Sequence, residues 1–556
     1  MAQKEKQKLK AKVEEEEGPI KQVSAEELFK EFREVNVSQF FAKNKQYLGY
    51  VGKVKSLTTV IHELVTNSLD ACEEAGILPD LKVKVEQIGE KDAEHYKVTV
   101  EDNGPGIPEA NIEKVFGQLL AGTKFHRNIQ LRGQQGIGAS GAVLFAQMTT
   151  GKPTYVKSGT GKGKIIEIHV MLDTKAGAPK ILDKKVQSGE WRGTLVSSEF
   201  KGVQYTKGQK GPYEYVRWTA AANPHTKIKF KDPENEVVFE RVVKEIPQRP
   251  VESKPHPSGV ETHDLLELAH HSTAHKVSSF LVNELTRVSA DKVAEIQKLV
   301  NFDLGISPKK IEWTQAEQLA QAFKKIKWMA PPAMGLIPIG EKTIEKALKS
   351  LLQPEFVMAR TREPRVYKGG IPFLIEVAIA YAGNAGRETP EGKRAELMRF
   401  ANRAPLLFDG GACVTTAAMN SIEWKRYHVQ DLENEPITIF VNLISTHVPY
   451  TSAGKQSIAE EEEIYEEIRF ALMQILRDLQ IFLGGKRRAA EREEKKKIFE
   501  KYIPETAKAL TKLTGEKEET LIKKLEKLVY DRFGKDFSKE PEEEKEEVEE
   551  GDVSEE

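Results

Sequence analysis

The chain has 556 residues, 39% of them hydrophobic and 30% charged, with Lys+Arg 84 against Asp+Glu 85 and a formal net charge of -1. That length and apolar share allow several cored domains, and the balanced charge excludes a globally basic nucleic-acid binder, so any such contact has to come from a local patch. Two distant cysteines, Cys72 and Cys413, exclude a disulfide framework and fit a reducing cytosol, Lys and Glu enrichment points to a thermophilic source, and no apolar run approaches membrane-spanning length.

Residues 1–23 form a charged leader, expected to be disordered and lacking the apolar segment of a signal peptide. Ser24 with Glu27 three residues on makes a capping box that opens a helix. Residues 55–74 read as an amphipathic helix with Leu57, Ile61, Leu64, Val65 and Cys72 on its apolar side. Residues 82–87 and 96–101 alternate as strands, 141–148 read as a buried helix after a loop, and 165–171 and 193–200 are further strands. A mixed α and β domain is therefore expected over 24–254. Pro247, Pro250, Pro255 and Pro257 punctuate a linker. A helical domain follows over 255–330, patterned at 273–285 and 290–299, and Pro331-Pro332 closes it. Residues 331–485 mix strands (373–380, 437–443) with helices (342–352, 458–483). Residues 486–556 carry charged helices at 486–513 and 519–530 and an acidic end.

Four short polar segments carry the chemistry. Glu63 and Asn67 are one helical turn apart and Asp70 follows three later, so all three share the polar face of the first long helix. Alone, such a face is merely solvated. Yet a neutral amide oxygen suits Mg²⁺, and a carboxylate one turn earlier can activate a water for attack on a phosphate. Asp102-Asn103-Gly104-Pro105-Gly106 ends a strand. Such a sequence is commonly a plain turn, but glycines flanking a rigid Pro also let a flat ligand approach the backbone. An ionised Asp only accepts hydrogen bonds and so selects a base edge bearing an amine, as adenine does. Gly133-Gln134-Gln135-Gly136-Ile137-Gly138 runs into Gly141 and matches the dinucleotide fingerprint literally. No apolar strand leads into it, and no acidic residue stands at ribose distance, so it reads instead as a lid whose amides cradle phosphates at a helix start. Lys455 follows Gly454, but Pro449 breaks the P-loop spacing. A lysine on a loop of another domain can still reach a terminal phosphate. The four segments together describe a magnesium-dependent ATPase without a P-loop.

These residues resemble the gyrase, heat-shock chaperone, histidine kinase and mismatch-repair (GHKL) ATPase superfamily, whose nucleotide domain is the Bergerat fold. Within it the chain is similar to the DNA topoisomerase VI B subunit family over roughly residues 24–485. The features that carry this are Gly122-Thr123-Lys124-Phe125-His126 before Arg132, the helical block between ATPase and third domain, Thr451-Ser-Ala-Gly-Lys455, and Trp424-Lys425-Arg426-Tyr427. The resemblance implies an α+β multidomain fold. Its parts are a Bergerat-fold α/β sandwich with an N-terminal strap, a helix–two-turns–helix insert, an α/β transducer domain and a charged helical C-terminal region. It implies Glu63 as general base, Asn67 as Mg²⁺ ligand and Asp102 as the adenine acceptor. Asp70, Gly104, Gly106, Thr123, Lys124 and Gly133 through Ala139 would complete the ATP site, with Lys455 as γ-phosphate sensor. Trp424, Lys425 and Tyr427 would couple to DNA.

The same resemblance implies ATP-driven dimerisation, helped by residues 32–50 reaching over the partner, and strand passage that relaxes supercoils. Cleavage would belong to the separate topoisomerase VI A subunit, in an A2B2 assembly on double-stranded DNA, since no Asp-x-Asp occurs in this chain. The expected location is cytoplasmic and nucleoid-associated, away from membranes. The alternative is an ATP clamp of chaperone or mismatch-repair type without cleavage. A histidine kinase needs a phosphoacceptor His before the ATPase, and residues 1–55 contain none. His271 and His275 stand at i,i+4 without a nearby Cys and read as helix surface. Lys486-Arg487-Arg488 and Lys495-Lys496-Lys497 are interleaved with glutamates and read equally as DNA contact or as solvated helix.

Overall fold

The computed structural model describes residues 35–90, 93–122, 129–133, 136–249, 251–252, 254–329, 331, 335–368, 370–452 and 454–537. The charged leader, the Ser24 capping box, Thr123, Lys124, Gln134, Gln135 and the acidic end lie outside the described residues.

The chain starts with a short helix α1 (Val37–Lys43) and then the long helix α2 (Lys53–Ala75), which ends on Gly76 in the left-handed conformation. Strands β1 (Asp80–Gln87) and β2 (His95–Asp102) alternate as their sequences require: Leu81, Val83, Val85, Val98 and Val100 are buried while Lys82, Lys84 and Lys97 face outward. Helices α3 (Glu109–Gly117) and α4 (Gly138–Thr150) precede β3 (Thr154–Thr160), β4 (Lys164–Asp173), β5 (Ala178–Ser188) and β6 (Arg192–Lys201). Helix α5 (Pro212–Ala222), β7 (Lys227–Lys231) and β8 (Glu236–Phe239) complete an eight-stranded sheet of order β5-β4-β3-β6-β2-β1-β7-β8. Within it β1 and β7 pair in parallel and the other neighbours antiparallel. Helices α2, α3 and α4 pack on the sheet, and its other face keeps ion pairs such as Lys82–Glu101 at 3.0 Å in solvent. This is the α/β sandwich expected.

Four strands of this sheet escape the sequence reading: β3, β5, β7 and β8. Edge strand β5 exposes nearly every side chain, so it shows no period of two to detect.

Helices α6 (Thr262–His271), α7 (Val277–Glu284), α8 (Ala290–Gln297) and α9 (Trp313–Lys325) bury their own core around Phe280, Leu281, Leu319 and Phe323. The stretch patterned at 273–285 is helical only over Val277–Glu284, and α6 ends at His271 before it.

The third unit contains α10 (Glu341–Leu352), strands β9 (Phe356–Thr361), β10 (Arg365–Tyr367) and β11 (Ile371–Tyr381), a two-stranded ribbon β12 (Arg387–Thr389) and β13 (Gly392–Arg394), then β14 (Glu396–Ala401), β15 (Ala404–Pro405), α11 (Val414–Asn420) and β16 (Ile437–Ser445). Every residue of β16 is buried, as in a strand covered on both faces. One face of this sheet, with Ala378, Ala380, Phe400 and Phe440, joins the core of the first domain. The other, with Ile375, Val377, Ile439 and Val441, packs on helix α12 (Glu462–Thr514). Two helices expected at 458–483 and 486–513 are therefore one 53-residue helix, which crosses the domain boundary expected at residue 485. Its first half is held by the sheet; beyond Gly484-Gly485 pairs such as Arg487–Glu491 support the exposed turns. Helix α13 (Glu518–Phe537) packs back on it.

Candidate functional site

The four polar segments meet around one cavity of about 310 Å³, within the range of small-molecule sites. Helix α2 presents Glu63, Asn67 and Ser68 to it; the end of β2 supplies Asp102 and the turn after it Gly106 and Ile107. Gly136 to Gly141 at the start of α4, Thr194 on β6, Tyr50 and Lys455 close it.

Asp102 stands at the buried end of β2, 6% exposed. Its Oδ2 accepts from Ser68 Oγ at 2.8 Å, and its Oδ1 from the Gly104 amide at 2.9 Å and the Thr194 amide at 3.1 Å. Burial pushes its carboxyl above the usual carboxylate range, opposed by the hydrogen bonds from Ser68, Gly104 and Thr194. A carboxylate has about four acceptor positions, so three donors leave one for a ligand amine.

Two glycines make close approaches, and the first is required by it. Gly106 has φ +70, and a Cβ there would lie 2.1 Å from the Gly159 carbonyl oxygen. A Cβ on Gly138 would lie 2.0 Å from Glu63 Oε2. The Glu63 carboxylate therefore rests against the first turn of α4, whose amides form the positive end of that helix. Ala139 and Ser140 of the same turn line the cavity, an arrangement suited to phosphate.

Lys455 arrives from the third unit, in the loop after β16, with φ +51 and 7% exposure. The loop passes the first domain at Gly49, where a Cβ would stand 3.7 Å from the Gly454 Cα. Tyr50 stacks on Phe145 with ring centroids 4.3 Å apart, and burial holds its phenol protonated far above the ordinary range. His62, beside Glu63, is buried against Tyr215 and pushed toward the neutral form by burial.

Asp70 departs from the shared polar face expected for it. It is 3% exposed and does not line the cavity; its Oδ1 is paired with Arg132 Nη1 at 2.8 Å. The reason is rotational: three residues past Asn67, the side chain has turned toward the segment that enters the lid, and the Gly133 amide lies 3.4 Å from its Oδ2. Gly104 acts through its amide on Asp102 and is itself off the lining. Ser68, Thr194 and Tyr50 do not stand out in the sequence. Ser68 adjoins Asn67 on α2 and could have been suspected, whereas Thr194 is placed only by the pairing of β6 with β2.

Trp424 is 9% exposed, part of the core under α12, and its Nε1 donates to the Met419 carbonyl at 3.2 Å. It is a packing residue here, not a surface contact; Lys425 and Arg426 are exposed and Tyr427 is half-buried. His270 and His271 meet backbone carbonyls of Ile311 and Glu267, and no group of three metal-ligating side chains occurs among the described residues. Among those residues no helix is long and apolar enough to cross a membrane.

Residues 52–174 match the family model of histidine kinase-, DNA gyrase B-, and HSP90-like ATPases, and residues 331–496 match that of the topoisomerase VI B subunit transducer. The type 2 DNA topoisomerase 6 B subunit of Pyrococcus horikoshii is 48% identical, with 91% of this chain and 96% of that protein covered. Its counterpart in Pyrococcus furiosus is 49% identical over 89% of this chain and 94% of that protein. The counterpart in Methanothermobacter thermautotrophicus is also 49% identical, over 89% and 94%.

Proposed function

Because this chain belongs to the type 2 DNA topoisomerase 6 B subunit family, a GHKL ATPase joined to a transducer, we propose that it is the ATP-operated half of a topoisomerase whose DNA cleavage comes from a partner, the A subunit. The observation that carries this is Lys455: among the described residues, a cavity built by the first domain takes its one lining lysine from the third.

In this reading Asp102 accepts the adenine amine, and guanine, offering an oxygen there, is repelled. The amides from Gly136 to Ala139 hold the phosphates, with Thr123, Lys124, Gln134 and Gln135 completing the lid. Asn67 fits a Mg²⁺ ion: its neutral amide oxygen lines the cavity, 3.6 Å from where a Gly133 Cβ would be. Bound Mg²⁺ neutralises phosphate charge. Glu63, beside the α4 N-terminus, orients a water and takes its proton. Lys455 binds the γ-phosphate and thereby fixes the transducer against the ATPase domain. Loss of that phosphate frees the loop, as in other γ-phosphate switches.

Two copies would dimerise on ATP, with residues 32–50 crossing to the partner, and an A2B2 assembly would clamp one duplex and pass it through a break in another. Lys425, with Arg426, is the exposed cation of the Trp424–Tyr427 turn, and Trp424 would fix that turn's position. A phosphate contact there would be salt-sensitive and blind to sequence.

The test is supercoil relaxation by this chain mixed with its cognate cleavage partner, ATP and Mg²⁺. Relaxation is expected. The Lys455→Ala variant should lose roughly 10²-fold in rate, the scale for removing one transition-state charge contact, while still binding nucleotide. No relaxation, with ATPase stimulated by unfolded protein instead of DNA, would select the chaperone-type clamp.

A further inference from the structure

Next to the cavity on helix α2, Asp70 and Glu73 meet two arginines in the joint between ATPase domain and transducer. Arg132 is 6% exposed. Its Nη1 donates to Asp70 Oδ1 at 2.8 Å and to Glu73 Oε2 at 3.0 Å, and its Nη2 to Glu73 Oε1 at 2.7 Å and to Asn223. Arg403 of the transducer, 3% exposed, brings Nη1 to 3.9 Å from Glu73 Oε2 and donates Nη2 to the Ile337 carbonyl at 3.0 Å. Two carboxylates thus face two guanidiniums in a buried, charge-balanced cluster, and removing one member leaves its partners uncompensated.

Arg403 sits on a rigid projection. It and Asn402 form the turn between β14 and β15 with φ +67 and +48, a region that L side chains rarely adopt. The turn is tied to its own sheet: the Arg403 amide donates to Asn442 Oδ1 at 3.1 Å, and Asn402 exchanges bonds with the Ser445 backbone at 2.9 and 3.0 Å. The same Asn402 Nδ2 reaches the Leu131 carbonyl at 3.0 Å. One residue earlier, Gln130 exchanges bonds with the Ile337 backbone at 3.2 and 2.6 Å. One residue later, Arg132 grips α2, and next Gly133 lines the nucleotide cavity. Four consecutive residues therefore run from transducer to phosphate lid.

We propose that Arg403, acting through Glu73 and Arg132, is a positioning residue that ties the transducer's angle to the root of the lid, a mechanical joint separate from Lys455. This rests on the reading of the cavity as an ATP site. Any rotation of the transducer carries Asn402 and Arg403 with it and pulls on residues 130–132, hence on Gly133. Coupling runs both ways, so lid closure on nucleotide must bias the same rotation.

The test uses the full-length chain with spin labels on cysteines introduced at the exposed positions Glu234 and Glu388, read with and without a non-hydrolysable ATP analogue, alongside the analogue's Kd. In the otherwise unsubstituted chain the analogue is expected to shift and narrow the distance distribution. Arg403→Gln should cut the shift back to the part that Lys455 carries, while the Kd changes by less than about fivefold, the low end of allosteric coupling factors. Arg403→Lys, which keeps the charge near Glu73, should retain the shift. A full shift in Arg403→Gln overturns the proposal. So does equal loss of shift and of thermal stability in both variants, which would mark the cluster as structural support alone. Failure of the unsubstituted chain to bind the analogue would instead remove the nucleotide reading, and this inference with it.

Discussion

Replacing Glu63 by Ala is expected to slow ATP hydrolysis by roughly 10²- to 10⁴-fold, the range of general acid–base contributions, while ATP-driven dimerisation persists. The expectation follows from where the carboxylate is held. Glu63 lines the cavity, and its Oε2 lies so close to Gly138 that a Cβ there would displace the carboxylate. The side chain thus stands at the edge of the amides expected to hold phosphate, placed to orient a water without being a phosphate ligand itself. The hydrogen bonds that fix Asp102 come from Ser68, Gly104 and Thr194, so adenine recognition does not depend on Glu63. Steady-state turnover and analogue-induced dimerisation, measured on the same preparation, separate the two roles. Turnover near the unsubstituted rate would assign the base elsewhere.

Asp102→Ala carries the second large effect, and it should appear in two observables. The substitution strands the Ser68 hydroxyl and the Gly104 and Thr194 amides, all aimed at the missing carboxylate. An unsatisfied buried donor costs about 1–3 kcal/mol, so thermal stability should fall measurably even without ligand. ATP affinity should fall by roughly 10²-fold or more, because a site built to bond a polar group discriminates strongly when that bond is lost. Calorimetric titration with a non-hydrolysable analogue and a melting curve check both. Unchanged affinity would mean that the base is recognised elsewhere.

How much of this was legible depends on how far apart the interacting groups are in sequence. Glu63 and Asn67 declare themselves because helical spacing alone puts them on one face. Asp102 does so because a strand ending in Asn-Gly-Pro-Gly is locally decisive. The lid glycines are legible as a pattern, but their reason, the close approach of Gly138 to Glu63, is a tertiary contact. Asp70 illustrates the limit: helical periodicity placed it with Asn67, and only a partner 62 residues away turned it to the interdomain joint. The cluster of Glu73, Arg132 and Arg403 is hidden for the same reason: its members stand 59 or more residues from one another or in different domains. Trp424 shows the same limit: its spacing from Tyr427 leaves core and contact both open, and packing under the long helix α12 buries it. Polar edge strand β5 and the fusion of two helices into α12 were missed because pairing and packing, rather than local pattern, decide them.

The decisive measurement is a crystal structure of the chain with a non-hydrolysable ATP analogue and Mg²⁺. The expected result places the adenine amine about 3 Å from Asp102, the metal on the Asn67 amide oxygen and the terminal phosphate against Lys455. An analogue bound elsewhere, or this cavity empty at saturating nucleotide, would contradict it.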